Sequence, residues 1–397
     1  MKIAHFYSFL AFVACLQLAA QKQISTYIFG HSLLHHEFQL IPTPTQETSV
    51  PHWFQLLADE AGHDYSVSGQ YGFLPQHDNL PPSSNWYFEL VDSPWDSEIE
   101  PFSAAGFNTV LLTPGNFIQW QGPTVNYPDE PVSPFSATST IFNWCDDQDD
   151  SLVFYIYENW PDMGGYLANG FPPAQEEWST YNNYLNGDFH DWFIEYHDLL
   201  IADLPNACVR MIPAGPIISS LLQQAPYNQI PFTELYEDDA PHGRPTTYFL
   251  ASLITYMSMY EEKAPATYEP NEFIHPIVAD NYEDIVDFIW EELANFSDDN
   301  GDSRVFCSTL DTGIEEEQKL NTTIQFWPNP VGNRLSITGI TTNANLHIYD
   351  FAGSLIASCL ATSFEEIDLS KLPEGLYLAE LRNESGSLLQ RQKLLKQ

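Results

Sequence analysis

Between residues 21 and 295 short apolar runs alternate with longer amphipathic ones, and this alternation restricts the fold more than any other feature of the chain. QISTYIF (23–29), DYSVSGQYG (64–72), FNTVLLTPGN (107–116), SLVFYIYENW (151–160) and CVRMIPAGPI (208–217) have the apolar density of strands buried on both faces. Residues 48–62 read as a helix, with Ser49 as N-cap, Pro51 in the first turn and Gly62 as the stop. Residues 188–205 and 245–262 are helical by the same criteria. Strands that recur with helices between them predict an α/β domain, a parallel sheet covered on both faces. In such a sheet, ligands gather beyond the carboxyl ends of the strands. Ser32, Gly72, Asn116 and Asn159 all follow strand candidates, so one rim should collect them.

The remainder of the chain is of a different kind. The first twenty residues pair Lys2 with an apolar stretch and end in Ala19-Ala20, the pattern of a secretory signal cleaved before Gln21. Residues 297–322 are polar and acidic and read as a linker; Asp298, Asn300 and Asp302 imitate the start of a calcium loop, but Ser303 stands where glycine is expected. Residues 323–397 are short alternating strands with Asn/Gly turns, the pattern of a small β-sandwich. The formal charge is −41, and it is uneven. The last segment carries six basic and seven acidic residues, so nearly all the negative charge lies before it. That field opposes nucleic acid and anionic membranes as partners. Cys145, Cys208, Cys307 and Cys359 show no C-x-x-C spacing, which argues against a zinc cage and leaves any disulfide pairing unread.

Chemistry concentrates in two stretches. YIFGHSLLHHE (27–37) ends a strand candidate at Gly30-His31-Ser32, with His35 and His36 close behind. A serine hydroxyl needs a base within hydrogen-bond reach, itself held by a third group. ELYEDDAPHGRP (234–245) supplies Asp239 and His242 as D-x-x-H, with Glu237 and Asp238 as competing partners for the imidazole. Alternatively, His31, His35 and His36 form a metal nest, although further ligands at helical spacing are missing. Arg244 is a candidate for holding a substrate carboxylate, or for an ion pair with residues 237–239. Asn159, Gln119 and Asp162 are candidate pocket residues. Trp86, Trp95, Trp120, Trp144 and Trp160 fall in or near loops, where exposed rings would stack on sugars and buried ones would be core.

Gly30-His31-Ser32-Leu33 resembles the first conserved block of SGNH/GDSL-type hydrolases, and Asp239-x-x-His242 resembles their last. His31 stands where that family usually has Asp or Asn. The middle blocks are looser: SGQYG offers Gly69 and Gly72, and TPGNFIQ offers Gly115-Asn116. The resemblance implies a three-layer flavodoxin-like sheet over 21–296 and a serine esterase without cofactor or metal. Ser32, Asp239 and His242 would be catalytic. The Ser32 N–H, the N–H of Gly72 or Gly69 and the Asn116 side chain would form the oxyanion hole, with Gln119 a rival to Asn116.

The last segment resembles the C-terminal sorting domain of type IX secretion, through FWPNPVGNRLSI, IYDFAGSLI and IDLSKLPEGLYLAEL. That resemblance implies a partner in the type IX machinery and a secreted or surface-bound product. The expectation is therefore an exported esterase acting on an ester, in particular an O-acetyl group of a carbohydrate. The alternatives are an idle SGNH-fold protein that binds glycans and a metal-dependent hydrolase using the histidine cluster.

Overall fold

The computed structural model describes residues 21–115 and 121–307, and in the C-terminal segment 325–327, 331–338, 344–349, 355–361, 366–373, 375–383 and 388–396. The chain divides into two compact units, 1–310 and 311–397. The predicted signal segment lies outside the described residues.

The first unit holds strands β1 (Gln23–Gly30), β2 (Asp64–Tyr71), β3 (Thr109–Leu112), β4 (Val153–Tyr157) and β5 (Cys208–Ile212). They form one all-parallel sheet in the order β2-β1-β3-β4-β5, the doubly wound, flavodoxin-like arrangement. Its helices are α1 (Val50–Ala61), α2 (Leu74–His77), α3 (Pro134–Asp146), α4 (Gln175–Tyr184), α5 (His190–Asp203), α6 (Ala214–Leu222), α7 (Pro245–Tyr260), α8 (Pro276–Ala279) and α9 (Tyr282–Asn295).

Strand alternation sorts the core into two layers. Tyr27, Phe29, Val110, Leu112, Phe154 and Ile156 face α3 and α5. Ile24, Ile28, Leu111, Tyr155 and Tyr157 face α1, α6, α7 and α9. Both strand faces are therefore apolar, which is why these segments read as continuous hydrophobic runs. Helix α1 starts after Ser49 with proline in its first turn and stops at Gly62, whose φ of +76° favours a residue without Cβ. Among the described residues no helix is long and apolar enough to cross a membrane.

Residues 297–307, expected as part of the linker, belong to the first unit. Val305 and Phe306 are buried in the core of the first unit, Arg304 donates to His197 and Asp198, and Cys307 is disulfide-bonded to Cys208. The acidic loop before these residues masked them in the composition. There, one Asp298 carboxylate oxygen accepts the backbone N–H groups of Asn300 and Asp302, closing a tight turn.

The second unit, taken by itself, is antiparallel. β6 (Gln325–Trp327), β7 (Arg334–Thr338) and β10 (Glu366–Asp368) form one sheet, with β7 central. β8 (Ala344–Tyr349), β9 (Leu355–Ala361), β11 (Gly375–Asn383) and β12 (Leu388–Lys396) form the other, in the order β12-β11-β8-β9. Leu335, Ile337, Leu346, Ile348, Leu381 and Leu394 belong to the apolar core that the two sheets share.

Candidate active site

β1 ends at Gly30, where a Cβ would meet the Trp86 ring at 3.0 Å. The chain then enters a turn in which the Leu34 N–H donates to the His31 carbonyl. Ser32 is left half-buried, and its carbonyl accepts the Tyr248 hydroxyl from α7 at 2.6 Å. This contact ties the turn to the helix that follows the second chemical stretch.

That stretch is a narrow hairpin rather than an irregular loop. Tyr236 and Gly243 pair, Glu237 N–H donates to the His242 carbonyl, and Arg244 N–H donates to the Leu235 carbonyl. Trp160 fixes it from the side by donating Nε1–H to the Pro241 carbonyl. At its tip, His242 Nε2 lies 2.9 Å from Ser32 Oγ, and His242 Nδ1 lies 2.6 Å from Asp238 Oδ2. Two residues 210 positions apart thus meet at the rim.

The partner of the imidazole is Asp238, not Asp239. Asp238 folds back over the tip, and its Oδ1 accepts the backbone N–H of His242 at 2.9 Å and that of Ala240 at 3.2 Å. This leaves Oδ2 beside the ring. Asp239 is the next residue along the turn and points away; its Oδ2 lies near Gly164, and its carbonyl accepts the Met163 N–H. Burial alone would push the Asp238 carboxyl up, but the ring and backbone hydrogen bonds from His242 outweigh it and hold the group below the ordinary carboxylate range.

The remaining expected site residues behave differently. Gly72 does follow β2, but its N–H donates to the Gly30 carbonyl at 2.9 Å. Gly69 lies inside β2 opposite Ile28, where a Cβ would sit 2.8 Å from the Ile28 carbonyl; it is glycine for strand packing, not for the rim. Asn159 is buried at the end of β4 and donates to the Trp160 carbonyl. Arg244 reaches back to the Thr233 carbonyl at 2.8 Å, away from residues 237–239. Asp162 accepts the Gly164 N–H. Asn116 and Gln119 lie outside the described residues.

The three histidines diverge. His31 is buried, its Nδ1 accepting the Leu33 N–H and its ring packed on Phe73; burial, with His77 and His242 nearby, lowers its pKa to about 3. His35 is wedged against Trp86 and Phe88 and is likewise held neutral, at about 4, chiefly by burial. His36 turns towards the hairpin and bonds to Glu237 at 2.8 Å. Trp86, Trp95 and Trp160 are core residues at 5% exposure or less, so they are not open stacking platforms, and Trp120 lies outside the described residues.

A cavity of about 260 Å³ opens beside Ser32. It is lined by His35, His36, Glu37, Phe38, Tyr71, Asn85 and Trp86. Phe38 and Tyr71 are largely exposed at its edge, and Asn85 adds an exposed side-chain amide. Nothing in the sequence singled out Asn85, which follows two serines in the loop after α2.

The chain is a flavodoxin-like α/β protein with a serine–histidine–carboxylate chain at the sheet rim, joined to a small antiparallel β unit. Residues 325–397 match the family model described as a secretion system C-terminal sorting domain. That match indicates secretion or display at the cell surface, and implies an interaction with type IX secretion machinery. No curated protein matches the chain. Solved structures with a distant likeness include a DUF4886 family protein from Bacteroides uniformis, 10% identical, with a TM-score of 0.42 and 68% of this chain and 94% of that one covered. A putative GDSL-like lipase from Parabacteroides merdae is 11% identical, with a TM-score of 0.35 over 60% and 96%. A Clostridium thermocellum family 3 carbohydrate esterase is 12% identical, with a TM-score of 0.33 over 59% and 94%.

Proposed function

We propose that the protein is a secreted serine esterase that works through an acyl-enzyme. The observation that carries this reading is the unbroken hydrogen-bond chain Ser32–His242–Asp238. The carboxylate below its ordinary range selects the tautomer with the proton on Nδ1, so Nε2 presents its lone pair to the Ser32 hydroxyl. The Ser32 oxygen attacks an ester carbonyl as His242 takes its proton. His242 returns that proton to the departing alcohol, and a water activated in the same way releases the acid. The Ser32 N–H and the Asn85 amide are the donors we assign to the developing oxyanion, each of a kind that contributes about 3 kcal/mol when well aimed.

The substrate we propose is a short acyl ester, in particular an O-acetyl group of a carbohydrate. A cavity of about 260 Å³ suits a small acyl group, and exposed Phe38 and Tyr71 beside it suit a larger alcohol moiety left outside. Export of the chain places it where polysaccharides are found.

The engaged Gly72 N–H favours a second reading, a catalytically idle glycan-binding protein. Fluorophosphonate labelling separates the two. The folded protein should be labelled and its Ser32→Ala variant should not; an unlabelled folded protein sinks the esterase reading.

A further inference from the structure

The proposed chemistry leaves one polar pair at the site without a task. The His36 ring lies flat on that of His242, with centroids 4.0 Å apart and planes 14° from parallel. On its far edge, Nε2 of His36 meets Glu237 Oε1 at 2.8 Å, and Glu237 also accepts the Leu40 N–H at 3.1 Å. The two side chains are nearly sealed, at 7% and 5% exposure. His36 is fixed from behind as well: its N–H donates to the Thr48 carbonyl, and its carbonyl accepts the Thr48 hydroxyl. Glu237 directly precedes Asp238. Neighbouring carboxylates of one hairpin therefore grip two stacked imidazoles, one facing Ser32 and one behind it.

Two physical consequences follow. The stack covers one face of the His242 ring, so the ring cannot swing from Ser32 on that side without breaking the contact. Protons on both rings would also repel each other across 4.0 Å. Burial and the nearness of His242 keep the His36 ring below the usual imidazole value, although Glu237 and Asp238 pull the other way.

Building on the esterase reading, we propose that His36, gripped by Glu237, is a positioning residue that aims the His242 imidazole at Ser32. The test is kcat and KM for p-nitrophenyl acetate across pH 4–9 in the purified protein, His36→Ala, His36→Phe and Glu237→Gln. His36→Ala should lower kcat roughly tenfold or more with KM little changed. His36→Phe keeps a ring on His242 and should recover part of that loss.

Should His36→Ala fold poorly, His36→Phe and Glu237→Gln carry the test, each expected to lower kcat with KM little changed. Unchanged kcat in folded variants overturns the proposal. If the unaltered protein neither turns over substrate nor is labelled at Ser32, it is the esterase reading that fails. The NMR signal of the His242 Nδ1–H then decides the inference separately: one as sharp and slowly exchanging in His36→Ala and Glu237→Gln as in the unaltered protein overturns it, and one broadened by exchange with water supports it.

Discussion

Of the histidine–carboxylate pairs near the strand ends, those of His242 and His190 differ in instructive ways. His242 holds Asp238 at 2.6 Å, and His190, at the start of α5, holds Glu158 at 2.7 Å just beyond β4. The far nitrogen of His242 faces a hydroxyl, whereas the His190 ring packs against Phe296. Asp238 is one-third exposed, and its hydrogen bonds hold it below the carboxylate range. Glu158 is fully buried, burial pushes its carboxyl up despite His190, and its Oε2 has no hydrogen-bond partner among the described residues. A braced imidazole is thus a common structural device. What marks a reactive one is a nucleophile on the other nitrogen and an open cavity beside it.

The strongest way to break this contrast is to remove the hydroxyl. Ser32→Ala should lower kcat/KM for an aryl acetate by about 10⁴ or more while the protein stays folded. His190→Phe should leave labelling of Ser32 intact. If the two variants lost activity equally, the rim pair at Ser32 would have no special claim.

The next effect in size concerns the carboxylate. Asp238→Asn removes the charge that selects the Nδ1–H tautomer and should cost about 10²–10⁴ in kcat. Asp239→Asn changes a side chain that points away from the ring and should stay within roughly threefold. A larger loss in Asp239→Asn than in Asp238→Asn would contradict the hairpin geometry. Steady-state kinetics on both, with matched melting curves, settles the order.

This carboxylate also shows where sequence reading stops. Ser32 and His242 were legible because each ends or opens a strongly patterned element, and so was the sheet, whose strands are apolar on both faces. Asp238 and Asp239 are adjacent and chemically identical, and only the turn conformation decides which one faces the ring. Gly72 follows β2 directly, but no pattern reveals that its N–H is already engaged by the Gly30 carbonyl. The His36–His242 stack joins residues 206 positions apart, out of reach of local periodicity. Likewise, Val305 and Phe306 are two apolar residues behind an acidic loop, too few to register as core.

The smallest effect we expect sharpens the comparison through stability. His190 loses some proton affinity to burial, but the Glu158 charge and hydrogen bond outweigh this, so its folded pKa lies above 6.5. Its contribution to stability is therefore complete below pH 6.5 and is lost as pH rises through the folded value. Glu158 is raised too, so the native pair binds more protons than the unfolded chain and stability declines in the same direction. His197, one heptad along α5, has the opposite sign: burial lowers it to about 4, so its contribution is lost as pH falls from 6.5 towards that value. Melting curves from pH 5 to 9 should therefore fall on both sides of a maximum. His190→Phe should flatten the alkaline side by roughly 2–4 °C and leave the acid side in place. Since His190 bonds to no hydroxyl among the described residues, the same variant should leave the pH profile of Ser32 labelling unmoved. An alkaline limb of labelling that shifted with His190→Phe would couple the two pairs and erase the distinction between them.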